Sequence, residues 1–281
     1  MIVRLGRNVL WAATLAALGG AGLLAGPSAV SGITVATLAW VEAGVERESA
    51  DAQGWRKLKA GDRVRTGDRL RTPQDGLARL EFPWMSITIG PATVLHIPAE
   101  VVLSTVLGQG RAEFEARGRE IVKVRTAEAE IRGAGRLVVR RERGRTLVTA
   151  MAMDGTFRVE AFGETVVLQG GEGTTVRDGE VPTPAQRLPE APERIRPGSD
   201  PLYVSNGQPV TLDWSPAAPT SHVQVMPLDS DEVLMERDVG SPPYALVIPW
   251  EGTYRWRISS RDAQGLEGRP SEAGVICVVE K

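Results

Sequence analysis

From residue 33 onward the chain alternates apolar and polar residues in short runs, and turn dipeptides separate the runs. A period of two marks a half-buried β-strand, because successive side chains of an extended backbone leave on opposite faces. Residues 77–82 put Ala78, Leu80 and Phe82 on one face, and 86–89 and 111–115 repeat the pattern. So do 128–132, 136–139, 146–148, 156–159 and 165–168. Between them stand Gly-Asp at 61–62 and 67–68, Asp-Gly at 75–76, 154–155 and 178–179, Gly-Pro at 90–91, Gly-Gln-Gly at 108–110 and Gly-Gly at 170–171. These residues supply the positive φ or the side-chain hydrogen bond that tight turns require. Short strands at roughly 8–12-residue spacing predict a sandwich, a barrel or a solenoid. No stretch offers the helical crossover that parallel βαβ units need. The expected fold class is all-β.

A composition break follows. Residues 181–201 carry prolines at 182, 184, 189, 192, 197 and 201. Proline lacks a backbone donor and fixes φ, so this stretch reads as an extended, semi-rigid linker rather than a ladder strand. Beyond it, Val210, Leu212 and Trp214 fall on one face of a strand, and Tyr254, Trp256 and Ile258 on one face of another. Further strands are expected at 223–225, 245–248 and 275–279. A small sandwich of about seven strands accounts for this content. The expected division is therefore 1–32, 33–180, 181–201 and 202–281.

Arg4 and Arg7 precede an apolar stretch at 9–26, and small residues follow at 29–32. A basic start, an apolar middle and a small-residue exit describe a secretory signal peptide. The alternative is an uncleaved membrane anchor. Its length is at the short end for a span, and glycines at 19, 20, 22 and 26 weaken it as a helix. Either reading sends the rest of the chain out of the cytoplasm, to a periplasmic or extracellular location. A net charge of -2 gives no reason to expect nucleic acid or an acidic membrane surface as partner. The single cysteine, Cys277, forms no internal disulfide, and its apolar run at 274–279 reads as a core strand with Cys277 as a buried small hydrophobe.

Residues 55–72 hold a tryptophan, two Gly-Asp turns and a strand ending in Arg-Thr. This segment resembles the opening of the FecR domain family. The strand at 76–82, the pair 122–126 and 129–133, and the runs 155–159 and 171–176 are similar to later parts of that family, so the resemblance covers about residues 33–180. The chain departs from it at Pro83-Trp84-Met85, where the family carries an Asp-Gly-Ser turn, and at Ala134-Gly135-Arg136-Leu137, where it carries Thr and an aromatic. The resemblance implies a domain outside the cytoplasm with a role in protein contact. Family members that regulate sigma factors carry a cytoplasmic segment, for which the eight residues before the apolar stretch leave no room. The tail, from 252–258 through 261–268 to Pro270-Ser271, is similar to Ig-like or fibronectin-like modules.

A catalytic set is not evident. His96 and His222 are the only histidines and fall in different expected domains, each read as a surface or satisfied core residue. Glu113/Glu115 and Glu128/Glu130 share strand faces by period-two spacing and read as solvated. Residues 111–145 hold eleven Lys/Arg against six Glu. That excess reads as the salt-laced outer face of a sheet, with an anionic polymer contact as the alternative. Trp55 reads as core. Trp84 and Met85, next to Pro83 in an expected turn, are the candidate partner contact, and Trp40, Trp55 and Trp84 together are a candidate sugar-stacking site.

These readings point to a non-enzymatic, exported binding or scaffolding module of a bacterial cell envelope, with no cofactor. It would have a many-stranded FecR-like domain, for which a solenoid is one form, followed by an Ig-like β-sandwich. The expected partner is an envelope protein met by strand addition or loop contact. Two alternatives stand beside it: the membrane-anchored arm of a transcriptional signalling system, and a protein that binds glycan or peptidoglycan.

Overall fold

The computed structural model describes residues 32–49, 53–99, 104–151, 155–215, 218–230 and 232–280. Apart from Gly32, the expected signal or anchor segment lies outside the described residues, as does Asp154 of the 154–155 turn. Among the described residues there are strands and turns and no helix, so the chain is all-β.

The first strands are β1 (Thr34–Glu42), β2 (Val45–Glu48), β3 (Arg56–Leu58), β4 (Arg63–Arg65), β5 (Arg69–Arg71), β6 (Leu77–Glu81), β7 (Met85–Ile89), β8 (Val94–His96) and β9 (Thr105–Ala116). Next come β10 (Val122–Arg125), β11 (Glu130–Ala134), β12 (Arg136–Glu142), β13 (Arg145–Ala150), β14 (Thr156–Ala161), β15 (Glu164–Gln169), β16 (Glu172–Arg177) and β17 (Gln186–Arg187). These 17 strands form one hydrogen-bonded system made of two ladders. One ladder runs β4-β1-β6-β7-β9-β12-β13-β16-β17. The other runs β3-β2-β5-β8-β9-β10-β11-β14-β15. Every pair is antiparallel except β9–β10.

β9 belongs to both ladders, and it changes from one to the other at Gly110. Thr105–Gln109 pair with β8 and β10, Gly110–Glu115 pair with β12, and Ala112–Ala116 pair with β7. Gly110 has φ +89°, and a Cβ there would meet Thr93 Oγ1 at 2.2 Å, so only glycine fits the crossing. Inward side chains of the two ladders share one core. Leu38, Leu80, Ile87, Phe114 and Val148 meet Leu70, Leu95, Ile131, Phe157 and Val159, all fully buried. Of the architectures left open, the pairing is therefore that of stacked antiparallel sheets and not the parallel coils of a solenoid.

The remaining strands are β18 (Glu193–Arg196), β19 (Leu202–Ser205), β20 (Pro209–Ser215), β21 (Thr220–Pro227), β22 (Met235–Val239), β23 (Tyr244–Val247), β24 (Gly252–Arg261), β25 (Glu267–Pro270) and β26 (Gly274–Val279). β18-β20-β23 form a three-stranded sheet, and β19-β26-β24-β21-β22, with β25 on β24, a six-stranded one. Leu212, Trp214, Val225, Trp256, Ile258 and Ile276 fill a second core.

The proline-rich stretch differs from its expected form, since it supplies β17 and β18. Neither strand contains a proline; each lies between two, and proline forbids a ladder bond only at its own nitrogen. The stretch is tied down further by Leu188 N–H to Gly171 O at 2.9 Å and by Trp256 Nε1–H to Pro197 O at 3.0 Å. Cys277 also differs from expectation. Ile276 and Val278 take the core face, so Cys277 turns the other way and is half-buried beside Thr253.

A charged seam as candidate functional site

Alternation on β9 sends Ala112 and Phe114 into the core and leaves Arg111, Glu113 and Glu115 on the opposite face. β12 sets Arg140 beside Arg111, Val138 beside Glu113 and Arg136 beside Glu115. On β21, Val223 and Val225 enter the second core, which turns His222, Gln224 and Met226 outward. β22 then places Asp238 opposite His222 and Glu236 opposite Gln224. These two outward faces meet each other instead of water, and their charges lock together.

Arg111 is the centre of the seam. Its Nη2 lies 3.1 Å from Glu267 Oε1, its Nη1 3.4 Å from Glu236 Oε2, and Glu113 is 3.6 Å away. Glu267 also accepts from Ser259 Oγ at 3.0 Å and from Arg261 Nη2 at 3.2 Å. Arg261 in turn pairs with Asp238. His222 places Nδ1 2.9 Å from Asp238 Oδ1 and Nε2 3.4 Å from Glu236 Oε2, the latter an ion-pair distance without hydrogen-bond geometry. The side chains of Arg111, Glu236, His222, Arg261 and Glu267 are all at most 8% exposed.

Opposite charges face one another across the seam: Arg111, Arg136 and Arg261 meet Glu113, Glu236, Asp238 and Glu267, and Arg140 lies 3.9 Å from Asp238 as well. Burial pulls the His222 imidazole down, but the charge of Glu267, the hydrogen bond to Asp238 and the nearby Glu236 carboxylate outweigh burial and the opposing charge of Arg111, and its pKa stands above the ordinary value. Burial pushes the Glu236 and Glu267 carboxyls up, and the Arg111 guanidinium more than reverses this, holding both below the usual range. Asp238 is lowered too, by its bond to His222 and by Arg261, against the push of burial. Arg111 is raised, since Glu267, Glu236 and Glu113 overcome its desolvation.

One end of the seam opens into a cleft of about 740 Å³. His222, Glu236 and Arg261 line its inner part, and Arg140, Arg143 and Arg237 also line it. Glu236 Oε1, His222 Nε2 and Arg261 Nε are buried without a hydrogen-bond partner. His222 faces carboxylates and Arg261, with no hydroxyl or thiol among its hydrogen-bond partners. Among the described residues no cluster of three or more His, Cys, Asp or Glu is placed to hold a metal ion. The arrangement is suited to binding and orienting charge.

The residues singled out in the sequence lie elsewhere. Met85 is 2% exposed and belongs to the first core, so the expected surface pair does not form. Trp84 is half-buried, its ring 5.5 Å from that of Phe82, and it borders an apolar pocket of about 290 Å³ with Val35, Phe82 and Ile97. The Pro83 turn is tight, so β7 begins at Met85 and its first side chain points inward. Trp55, expected in the core, is half-buried under Arg71, whose guanidinium carbon sits 4.2 Å from the ring centroid. Trp40 packs with Leu77, Met226 and Val233. The three indoles thus have separate surroundings and form no shared stacking face. His96 is half-buried and lowered by burial and by the charges of Arg69 and Arg125.

The glutamate pairs also divide. Glu115 and Glu130 keep exposed side chains, at 53% and 42%, as expected of a wet face. Glu113 is covered by the seam and bound by Arg136 at 2.5 Å. Glu128 precedes β11 and is 2% exposed, paired with Arg141 at 2.7 Å and bonded by Thr146 at 2.8 Å. Sequence reasoning missed the seam because its strands are far apart in the chain. The one available signal was the density of both charge signs on the outward positions of 111–145, 222–224, 236–238 and 255–261.

The fold and the seam define the class: an all-β protein of stacked antiparallel sheets joined through a buried ionic face. No protein family matches the chain, and no curated protein matches it. Similarity exists to two crystal structures from Parabacteroides distasonis ATCC 8503, each provisionally assigned as an anti-sigma factor. One has 17% identity and a TM-score of 0.36 over 42% of this chain and 59% of that chain. The other has 15% identity and a TM-score of 0.37 over 50% and 79%. The likeness is weak, and the match spans 59% of the first structure's own length.

Proposed function

We propose that the chain is an exported, non-catalytic binding or scaffolding module of a bacterial cell envelope, with a role in envelope signalling. In this reading residues 33–180 form a FecR-like domain, 181–201 a connecting segment and 202–281 an Ig-like sandwich. The observation that carries it is the geometry of the paired Gly-Asp motif. Gly61 and Gly67 turn the chain at φ +88° and +87°. Asp62 Oδ2 accepts the Lys59 N–H at 2.9 Å, and Asp68 Oδ2 accepts the Arg65 N–H at 2.8 Å. The motif thus builds two successive turns of the same kind around β4, which supports the reading of the segment as a structural unit. Binding by sheet edges suits the architecture, because among the described residues β3, β15, β17 and β22 each pair on one side only.

The test is fractionation of cells followed by the intact mass of the mature protein, with gentle crosslinking in the envelope fraction. Export with a crosslinked envelope partner is the expected result. Retention of the chain in the cytoplasm would overturn the proposal, and so would an envelope fraction that yields no crosslinked protein. Loss of about the first thirty residues would mark a free module. Full length in the membrane would mark an anchored arm of a signalling system.

A further inference from the structure

β22 is the terminal strand of the six-stranded sheet. It pairs with β21 on one side and, among the described residues, with no strand on the other. An edge strand leaves a row of backbone N–H and C=O groups facing outward. Glu236, Arg237 and Asp238, three residues in succession, all line the cleft. Side chains of a strand alternate between faces, so three in a row on one cleft put the strand's edge on it. Facing it across the cleft are β9 at Gln109–Arg111 and the β12–β13 turn at Arg140–Arg143.

The cleft's charge is uneven. Its inner groups are nearly balanced, but Arg143 and Arg237 are exposed, and neither has an acidic partner among the described residues. Arg143 sits at φ +48°, followed by Gly144 at φ +73°, at the tip of the β12–β13 turn. Arg140 stands below its ordinary pKa through burial and the charge of Arg261. A carboxylate entering the cleft would relieve that crowding of cations.

Resting on the reading of the chain as a binding module, we propose that this cleft receives an extended acidic segment of a partner protein, added as a strand to the free edge of β22, with its carboxylates opposite Arg140, Arg143 and Arg237. Main-chain bonds to β22 would supply register, and the arginines would select acidic side chains.

The experiment uses the purified full chain and three blocked peptides of about ten residues: alternating Val–Glu, alternating Val–Lys, and Val–Glu with every second amide N-methylated. Binding is read by fluorescence anisotropy, and hydrogen exchange follows the amides of 235–239. The charge-reversed variant R143E/R237E is compared after a thermal melt shows that it folds. The Val–Glu peptide is expected to bind and to protect β22. N-methylation and charge reversal should each weaken binding by at least about tenfold. No binding of Val–Glu, equal binding of Val–Lys, or indifference to N-methylation would overturn the proposal. So would self-association through β22 that charge reversal abolishes, because a second copy would then own the edge. If envelope crosslinking captures a partner equally well with R143E/R237E, this inference falls and the binding-module reading stands. If it captures none, while the peptides behave as expected, the failure belongs to the envelope reading.

Discussion

At residue scale, the same residue type does different work according to what covers it. Asp68 is 2% exposed, accepts the Arg65 N–H and has Arg47 at 3.7 Å, so it fixes a turn from within. Asp75 sits in an exposed turn. Asp68→Ala should cost about 1–3 kcal/mol by removing a buried acceptor and leaving the part-buried Arg65 N–H unmet, and Asp75→Ala no more than about 0.5 kcal/mol, both measured by urea denaturation. Glutamates show the same contrast at the seam. Glu267→Ala leaves Arg111 and Arg261 without their shared counter-ion and should cost about 3–5 kcal/mol. Glu115→Ala, on a half-exposed side chain, should stay within about 0.5 kcal/mol. Equal losses for the two variants would show that the seam is no more coupled than the surface.

At the scale of elements, β9 is the strand on which both ladders depend. It crosses from one to the other where Gly110 takes a positive φ against Thr93. Gly118, just beyond β9, also has a positive φ, +64°, with nothing within 4 Å of a Cβ built there. Gly118→Ala should therefore cost only the backbone penalty, about 1 kcal/mol. Gly110→Ala adds a steric clash with the Thr93 backbone and side chain and should cost clearly more, on the order of 2–4 kcal/mol. Equilibrium unfolding of the two variants side by side separates steric crowding from conformational preference.

At the scale of the whole molecule, the seam makes stability depend on pH from two sides. Glu236, Asp238 and Glu267 have pKa values depressed by folding. Their contribution is present above the ordinary carboxylate range and is lost as pH falls through their folded values. His222 has its pKa raised, so its contribution is complete below about 6.5 and is lost as pH rises through its higher folded value. Facing it are Glu236 and Asp238 from β22, Arg261 from β24, Glu267 from β25 and Arg111 from β9. The melting temperature should fall on both the acid and the alkaline side of a maximum, and His222→Gln should flatten the alkaline side. Identical alkaline slopes for the two proteins, in melts from about pH 5 to pH 9, would remove His222 from the account.

The alternation of residues by itself determined that the chain is β, where most strands run and which side chains enter the cores. Leu80, Ile87, Phe114, Phe157, Leu212 and Trp256 are inward by period two, and all are buried. That rule is local: a pleated strand sorts its own side chains into two faces whatever lies beyond it. It does not say what covers the second face. Arg111 and Glu113 stand on an outward face that sequence reads as wet, and the chain's own later strands cover them. Met85 went inward because β7 starts at that residue rather than at Ser86, which puts Met85 on the same face as Ile87 and Ile89. Pairings of high sequence separation, Arg111 with Glu267 above all, join residues 156 apart and belong to tertiary structure alone. The cleft beside β22 exists only because those pairings bring two distant faces together and leave one edge open.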